Sequence, residues 1–382
     1  MDLIVGPQHP ALHEPERFVF KVEGEVVVDV EPRIGYVHRG IEKALEGRDF
    51  VRGVYLAERV CGICNVAHSL CYVQAIEDLC GIEPTRRALF LRAVAHELNR
   101  IHSHMLLLGV AGELLGFVTL FMLLWRDREL VMDLFERLTG NRVNSAYNVV
   151  GGVRRDVDEK LVQDALKVMD RLREQMKKYR RVFAEDPTVR ARTSCVGVLS
   201  RARAIELCAV GPTARGSGVE VDVRKDLPYA AYEELDFKPV FYEEGDAWAR
   251  LMVRVDEAIE SMELVSQSLK RLPSGPVRVK APRTIPAGEG FSVVEAPRGD
   301  LNYHVYGRGS PAPDRVKIRT PTYANIPAVC EMLKGGYVAD IPATLVSIDP
   351  CFSCTDRVAI VDTRRGLRRT ATIYELAKGW RR

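Results

Sequence analysis

The residues best suited to chemistry are four cysteines in two CxxC pairs, Cys61-Gly62-Ile63-Cys64 and Cys351-Phe352-Ser353-Cys354. A CxxC pair lets two thiolates converge on one metal from a single turn. Two pairs make an all-sulfur set that suits zinc, an iron–sulfur cluster or another soft-metal centre. The pairs stand near opposite ends of a 382-residue chain. A structural zinc knuckle usually closes a short loop, so a site tying such distant segments together reads as one built into the core. The other five cysteines, Cys71, Cys80, Cys195, Cys208 and Cys330, show no pairing pattern and are expected to be buried thiols. Nine cysteines is an odd number for a disulfide framework, which favours metal ligands and free thiols in a reducing compartment.

The elements that must bring these ends together are legible in outline. Residues 17–30 alternate apolar and polar types around Glu23-Gly24-Glu25, which predicts a β-hairpin. From Arg86 the pattern turns helical and runs to about Leu138, as two or three helices. A further helix is predicted over 157–183, with apolar positions Leu161, Ala165, Val168, Leu172, Met176, Tyr179 and Phe183. Asp246 is a plausible N-cap for a helix that stops at Pro273. Residues 273–320 are rich in Pro and Gly with short β runs such as Val316-Lys317-Ile318, and a short helix follows near 324–334. Met105–Trp125 holds 21 residues with one charge, Glu113. A helix of that length covers roughly 30 Å, enough for a bilayer. Closely flanking charges and the lack of a second such stretch favour a central helix buried on all sides. There Glu113 would be a buried carboxylate in need of a partner or a proton.

The fold class read from these patterns is α+β, mainly α: long helices with small peripheral sheets. One domain is expected over 1–357, with an N-terminal hairpin and loops (1–50), a helical core (51–272) and a mixed segment (273–357) returning to the metal site. Residues 358–382 form a basic tail with seven Lys/Arg against two Asp/Glu, suited to docking on a partner or an acidic membrane surface, with Trp380 contributing. Hydrophobic residues make up 47% and charged residues 28%, which fits a globular protein with a large core and excludes a disordered or collagenous chain. A net charge of +3 is too small for nucleic acid to be the main partner. The start, MDLIVGPQHP, has no basic or apolar signal region, so a cytoplasmic location is expected.

Residues around the pairs extend the pattern. Arg59-Val60 precedes Cys61 and His68 follows Cys64; Asp349-Pro350 precedes Cys351 and Thr355-Asp356-Arg357 follows Cys354; Glu295-Ala296-Pro297-Arg298-Gly299 is a separate motif. Together they resemble the large subunit of nickel–iron hydrogenases, with R-x-C-G-x-C-x-x-x-H early and D-P-C-x-x-C-x-x-H/R late. Gly6-Pro7-Gln8-His9-Pro10, the run Gly35-Tyr36-Val37-His38-Arg39-Gly40-Ile41-Glu42-Lys43, and Gly151-Gly152-Val153 resemble the complex I-related branch. That branch holds energy-converting membrane hydrogenases and the quinone-site subunit of respiratory complex I. The latter lacks the four cysteines, so the resemblance points to the hydrogenase.

The resemblance implies roles. Cys61 and Cys351 would be terminal nickel ligands, and Cys64 and Cys354 would bridge nickel and iron, with CO and two cyanides on the iron. Arg298 would lie over the cyanides and the open face, held by Asp349. Glu14 matches the proton-relay glutamate, with Glu16 as the alternative match. His68 would hydrogen-bond a bridging thiolate, and Thr322 would donate to a cyanide. His9, His38 and Arg39 would line a proton path or hold loops together. Arg357 replaces a histidine that binds magnesium in many relatives, which leaves a magnesium site open. The chain has no cysteine set for an iron–sulfur relay, so a separate small 4Fe–4S subunit is implied. Complex I-like hydrophilic and membrane subunits and a ferredoxin donor are implied with it. The implied function is a catalytic subunit reducing protons to H2, peripheral on the cytoplasmic side of the membrane. The rivals are a sulfur or polysulfide reductase of the same branch and a non-catalytic zinc-binding or coupling subunit.

Overall fold

The computed structural model describes residues 1–12 and 14–355, with the backbone of two short strands, Val361–Asp362 and Leu367–Arg368. Arg357, Trp380 and, apart from these two strands, the rest of the basic tail lie outside the described residues. Strands β1 (Asp2–Val5), β2 (Arg17–Glu23) and β3 (Val26–Arg33) form an antiparallel sheet. The predicted hairpin is its β2–β3 part, turned at Gly24 with φ +61°. Helices α1 (Ile41–Glu46), α2 (Phe50–Glu58), α3 (Asn65–Cys80), α4 (Arg86–Leu114), α5 (Val118–Thr139) and α6 (Glu159–Glu185) follow. A two-residue antiparallel pair, β4 (Asn148–Val149) and β5 (Gly152–Val153), separates α5 from α6. Short helices α7 (Pro187–Thr193), α8 (Arg201–Glu206), α9 (Pro212–Arg215) and α10 (Val223–Asp226) lead to α11 (Ala247–Lys270). The last sheet is antiparallel β6 (Ala287–Ala296), β7 (Gly299–Arg308) and β8 (Arg315–Arg319), before α12 (Pro321–Leu333) and α13 (Ile341–Ser347).

Local chemistry explains the boundaries. Thr85 caps α4 by accepting from the Ala88 N–H, and Asp246 caps α11 by accepting from the Ala249 N–H, as side-chain oxygens at helix starts do. The inward stripe of α6 is Ala165, Met169, Leu172, Met176, Tyr179 and Phe183. It packs on α11, which packs in turn on α4. Helix α4 is buried on nearly every side and carries buried polar groups, Arg92, Glu97, Arg100 and His104 among them.

Three expectations are corrected. The apolar run over Met105–Trp125 is not one helix. Gly116 (φ +85°) stops α4: the Gly116 N–H donates to the Glu113 carbonyl at 2.9 Å and the Phe117 N–H to the Gly112 carbonyl at 2.7 Å. These paired bonds around a left-handed glycine terminate a helix efficiently. Glu113 is therefore exposed in a last turn, not buried, and no described helix is long and apolar enough to cross a membrane. The region 273–320 holds two ten-residue strands rather than short β runs. Of the unpaired cysteines only Cys71 is fully buried; Cys195 and Cys208 are exposed, and Cys80 and Cys330 are half-buried.

The β6–β7 sheet lies against α3, the helix that begins at the first cysteine pair. The approach is close at Gly290, where a Cβ would sit 2.1 Å from the Ala75 carbonyl oxygen and 2.8 Å from Leu79 Cβ. Gly290→Ala is expected to lower stability by about 1–3 kcal/mol, read as a lower urea midpoint. An unchanged midpoint would show that this contact is looser than its geometry implies.

Candidate metal centre

The first cysteine loop joins α2 to α3, with Cys64 at the N-cap of α3. Its shape is set by amides: the Cys64 N–H donates to Cys61 Sγ at 3.3 Å, Asn65 Nδ2 to the Gly62 carbonyl at 3.0 Å, and Asn99 Nδ2 on α4 to the Ile63 carbonyl at 2.7 Å. The second loop leaves the end of α13. Two buried arginines of α11 hold that end, Arg250 Nε donating to Ser347 Oγ at 2.8 Å and Arg254 Nη1 to the Ser347 carbonyl at 2.8 Å. Asp349 then takes a left-handed backbone (φ +56°), which turns the chain into the short 3-10 turn Phe352–Cys354. Phe352 anchors that turn in the core under the N-terminal sheet, edge-on to Phe18 at 5.9 Å.

The two loops meet. Cys351 Sγ lies 3.2 Å from Cys61 Sγ, 290 positions away in sequence, and 3.0 Å from Cys354 Sγ. The ligand atoms of Cys61, Cys351 and Cys354 lie within 4.8 Å of one another, and so do those of Cys64, His68 and Cys354. All four cysteines are buried.

The electrostatics of this cluster bear on what it can hold. Cys64 is pulled down to about 5, first by hydrogen bonding with the Cys354 thiol and then with that of Cys61. Burial pushes Cys354 well above the ordinary thiol range. Like charges in one dry pocket cannot all ionise, so four thiolates here would need a cation to balance them. Arg298 supplies part of that balance. Burial opposes its charge, but Asp349 and the sulfurs of Cys64, Cys351 and Cys61 hold it firmly protonated. Soft, buried, convergent sulfur donors beside a fixed guanidinium fit a soft-metal centre with anionic ligands.

The structure also places the other predicted residues. Arg298 Nη2 donates to Asp349 Oδ1 at 2.6 Å and Nε to the Asp349 carbonyl at 2.7 Å. Thr322 Oγ1 accepts from the Cys351 N–H at 3.1 Å. Glu14 accepts from both the N–H and the hydroxyl of Ser353, at 2.7 and 2.5 Å, and Ser353 Oγ is 3.4 Å from Cys351 Sγ. Burial pushes Glu14 up to about 7. Glu16 is also buried and is bonded by the Thr355 hydroxyl at 3.2 Å, so it serves the same turn one step further from the sulfurs. His68 Nε2 is 3.9 Å from Cys354 Sγ, and its Nδ1 is 2.8 Å from the Tyr303 hydroxyl. Burial pushes His68 down to about 3, so the ring is neutral. His9 and His38 are exposed on the loops, and Arg39 bonds to both cysteine loops.

Sequence reasoning missed Tyr303, Ser353 and Ser103, whose hydroxyl accepts from Arg298 Nη1 at 3.3 Å. Tyr303 carries a signal in hindsight, since Leu301, Tyr303 and Val305 alternate inward along β7. Ser103 lies mid-helix with no local mark.

The Arg298–Asp349 pair is fully enclosed. Removing one charge of such a pair leaves the other uncompensated. Asp349→Asn is expected to destabilise the chain by about 3 kcal/mol, measured by urea unfolding. A loss under about 1 kcal/mol would show that the pair does not anchor the loop.

Two family models and several known proteins match this chain. The family described as the 49 kDa subunit of respiratory-chain NADH dehydrogenase matches residues 115–285 and 282–357. The family described as nickel-dependent hydrogenase matches residues 39–170. The alpha subunit of the membrane-bound hydrogenase of Pyrococcus furiosus is 41% identical, covering 98% of this chain and 91% of its own length. The carbon monoxide-induced hydrogenase of Rhodospirillum rubrum is 40% identical over 92% of this chain and 98% of its own. One of the subunits of the F(420)H(2) dehydrogenase of Methanosarcina mazei is 38% identical over 92% of this chain and 96% of its own. A protein in the structure of the membrane-bound sulfane sulfur reductase, an archaeal respiratory membrane complex, superimposes with a TM-score of 0.89 at 34% identity, covering 94% of this chain and 98% of that one. The chain belongs to the complex I-related branch of the nickel–iron hydrogenase large-subunit family.

Proposed function

We propose that this chain is the catalytic large subunit of a membrane-associated, energy-converting nickel–iron hydrogenase. It would interconvert protons and H2, with electrons from a ferredoxin-type donor reaching it through a separate iron–sulfur subunit. The observation that carries this reading is the meeting of four buried cysteine sulfurs from opposite ends of the chain, with Cys61 and Cys351 3.2 Å apart. Cys61, Cys64, Cys351 and Cys354 would hold nickel, Cys64 and Cys354 would also hold iron, and CO and cyanide would complete the iron. When bound, this group supplies the heterolytic activation of H2. The names of the relatives, a membrane-bound hydrogenase subunit and a carbon monoxide-induced hydrogenase, support the assignment. With no membrane-crossing helix among the described residues, the proposed place is peripheral, on the cytoplasmic side, held by complex I-like partners.

The chain's own residues divide the work. Arg298, locked by Asp349 and Ser103, keeps a permanent positive charge beside the sulfurs, where anionic ligands are stabilised. Ser353 and Glu14 form a hydrogen-bonded path away from Cys351. A carboxyl group titrating near 7 can take a proton or return it close to neutral pH. Neutral His68 orients against Tyr303 and faces Cys354. Thr322 fixes the Cys351 backbone.

A second reading, sulfur or polysulfide reduction at a similar pocket, is favoured by the close superposition on the protein of the sulfane sulfur reductase complex. Turnover with H2 against turnover with polysulfide separates the two. The purified complex is expected to show infrared bands of metal-bound CO and cyanide, with nickel near one per large subunit. Cys351→Ser should abolish nickel retention and H2 turnover, and unchanged turnover would be fatal to the assignment. Glu14→Gln should slow H/D exchange by roughly a hundredfold or more with the metals in place. The bend in the wild-type exchange profile near pH 7, where the Glu14 carboxyl changes from protonated to ionised as pH rises, should vanish with it. Loss of the metals instead would assign Glu14 to holding the Ser353 turn.

A further inference from the structure

We infer that Arg39 is a positioning residue that staples the two cysteine loops together, so that the four thiols are arranged before a metal arrives. Arg39 lies in the loop between β3 and α1, outside both CxxC segments. Its Nη1 donates to the Arg59 carbonyl at 2.7 Å, and its Nη2 donates to the Val60 carbonyl at 2.8 Å and the Ser353 carbonyl at 3.0 Å. Arg59 and Val60 immediately precede Cys61, while Ser353 stands between Cys351 and Cys354. One planar guanidinium therefore spans segments separated by most of the chain.

Each loop has its own anchorage. The first is tied to α3 and α4 through Asn65 and Asn99, the second to α11 through Ser347. Those anchors fix each loop to its own base. Arg39 fixes the loops to each other, through carbonyls adjacent to the ligands. Hydrogen bonds from a charged donor are stronger than neutral ones, and the fork of two terminal nitrogens sets direction as well as distance. Lysine carries its three donors on one nitrogen at the end of a flexible stem, with no planar fork to span the two loops from two separate nitrogens. Preorganisation of this kind lowers the cost of closing the site around a cation. Arg298 thus acts on the sulfurs from the buried side while Arg39 holds the loops from the exposed side.

The staple requires only that the four thiols share one cation, whether or not that cation serves hydrogen chemistry. Its test is titration of the full chain, purified free of metal under reducing conditions, with cobalt(II) alone. The readouts are the thiolate-to-cobalt charge-transfer absorbance and the thermal unfolding of the metal-free chain. Arg39→Met and Arg39→Lys should both weaken cobalt affinity by about 10–100-fold, with the melting curve of the metal-free chain nearly unmoved. If the methionine variant fails to fold, the lysine variant carries the test alone. Wild-type affinity and spectrum in Arg39→Met would overturn the inference. So would full affinity in Arg39→Lys, because charge rather than the fork would then be what matters. Failure of these variants to differ from wild type would leave the infrared test of the hydrogenase reading untouched.

Discussion

Four thiols in one dry pocket repel one another as soon as more than one ionises, and everything else in this structure is arranged around that conflict. Desolvation pushes Cys354 up while its neighbours draw Cys64 down, so the cluster on its own does not hold four negative charges. A soft cation removes the conflict by taking all four sulfurs as thiolates. Arg298 and its partner Asp349 reduce the conflict in advance by placing a permanent positive charge next to the sulfurs at the cost of burying an ion pair. Such a pair is weak evidence for stability by itself. Its position suits a role in the site better than a role in holding the fold.

The fold can be understood as the means of joining the two loops. The helices α4 and α11 form the centre, with buried arginines on α11 gripping the end of α13 and an asparagine on α4 gripping the first cysteine loop. The β6–β8 sheet contributes Arg298 from the β6–β7 turn and Tyr303 from β7. The N-terminal sheet contributes a floor for Phe352. Between β1 and β2 a loop delivers Glu14 to the back of the second CxxC turn. A mutation far from the sulfurs can thus alter the site by moving the loop it supports.

Much of this was legible in the sequence because local physics repeats there. The hairpin alternation of residues 17–30, the Asp246 cap and the stripe from Ala165 to Phe183 each rest on short-range rules, and each is present. Where the reading failed, one residue or a long-range contact decided. Gly116 breaks an apolar run that hydropathy alone would continue, and so exposes Glu113. The ten-residue strands β6 and β7 are hidden by their glycines, Gly288, Gly290 and Gly307, two of which allow close packing on α3. The motif residues Arg298, Asp349, Thr322, His68 and Glu14 gather around the cysteines. Alternation along β7 marks Tyr303 as inward-facing but not as a partner of His68, and Ser103 and the bonds of Arg39 could not be found, because no spacing rule connects residues whose contact depends on tertiary packing.

The central claim is that the two cysteine pairs share one nickel-containing centre. X-ray absorption at the nickel edge of the purified complex tests it most directly. The expected spectrum is nickel surrounded by sulfur, with an iron scatterer just beyond, and that signal should be lost in a chain lacking either pair. A complex carrying zinc alone on these sulfurs, or nickel bound by nitrogen and oxygen, would contradict it.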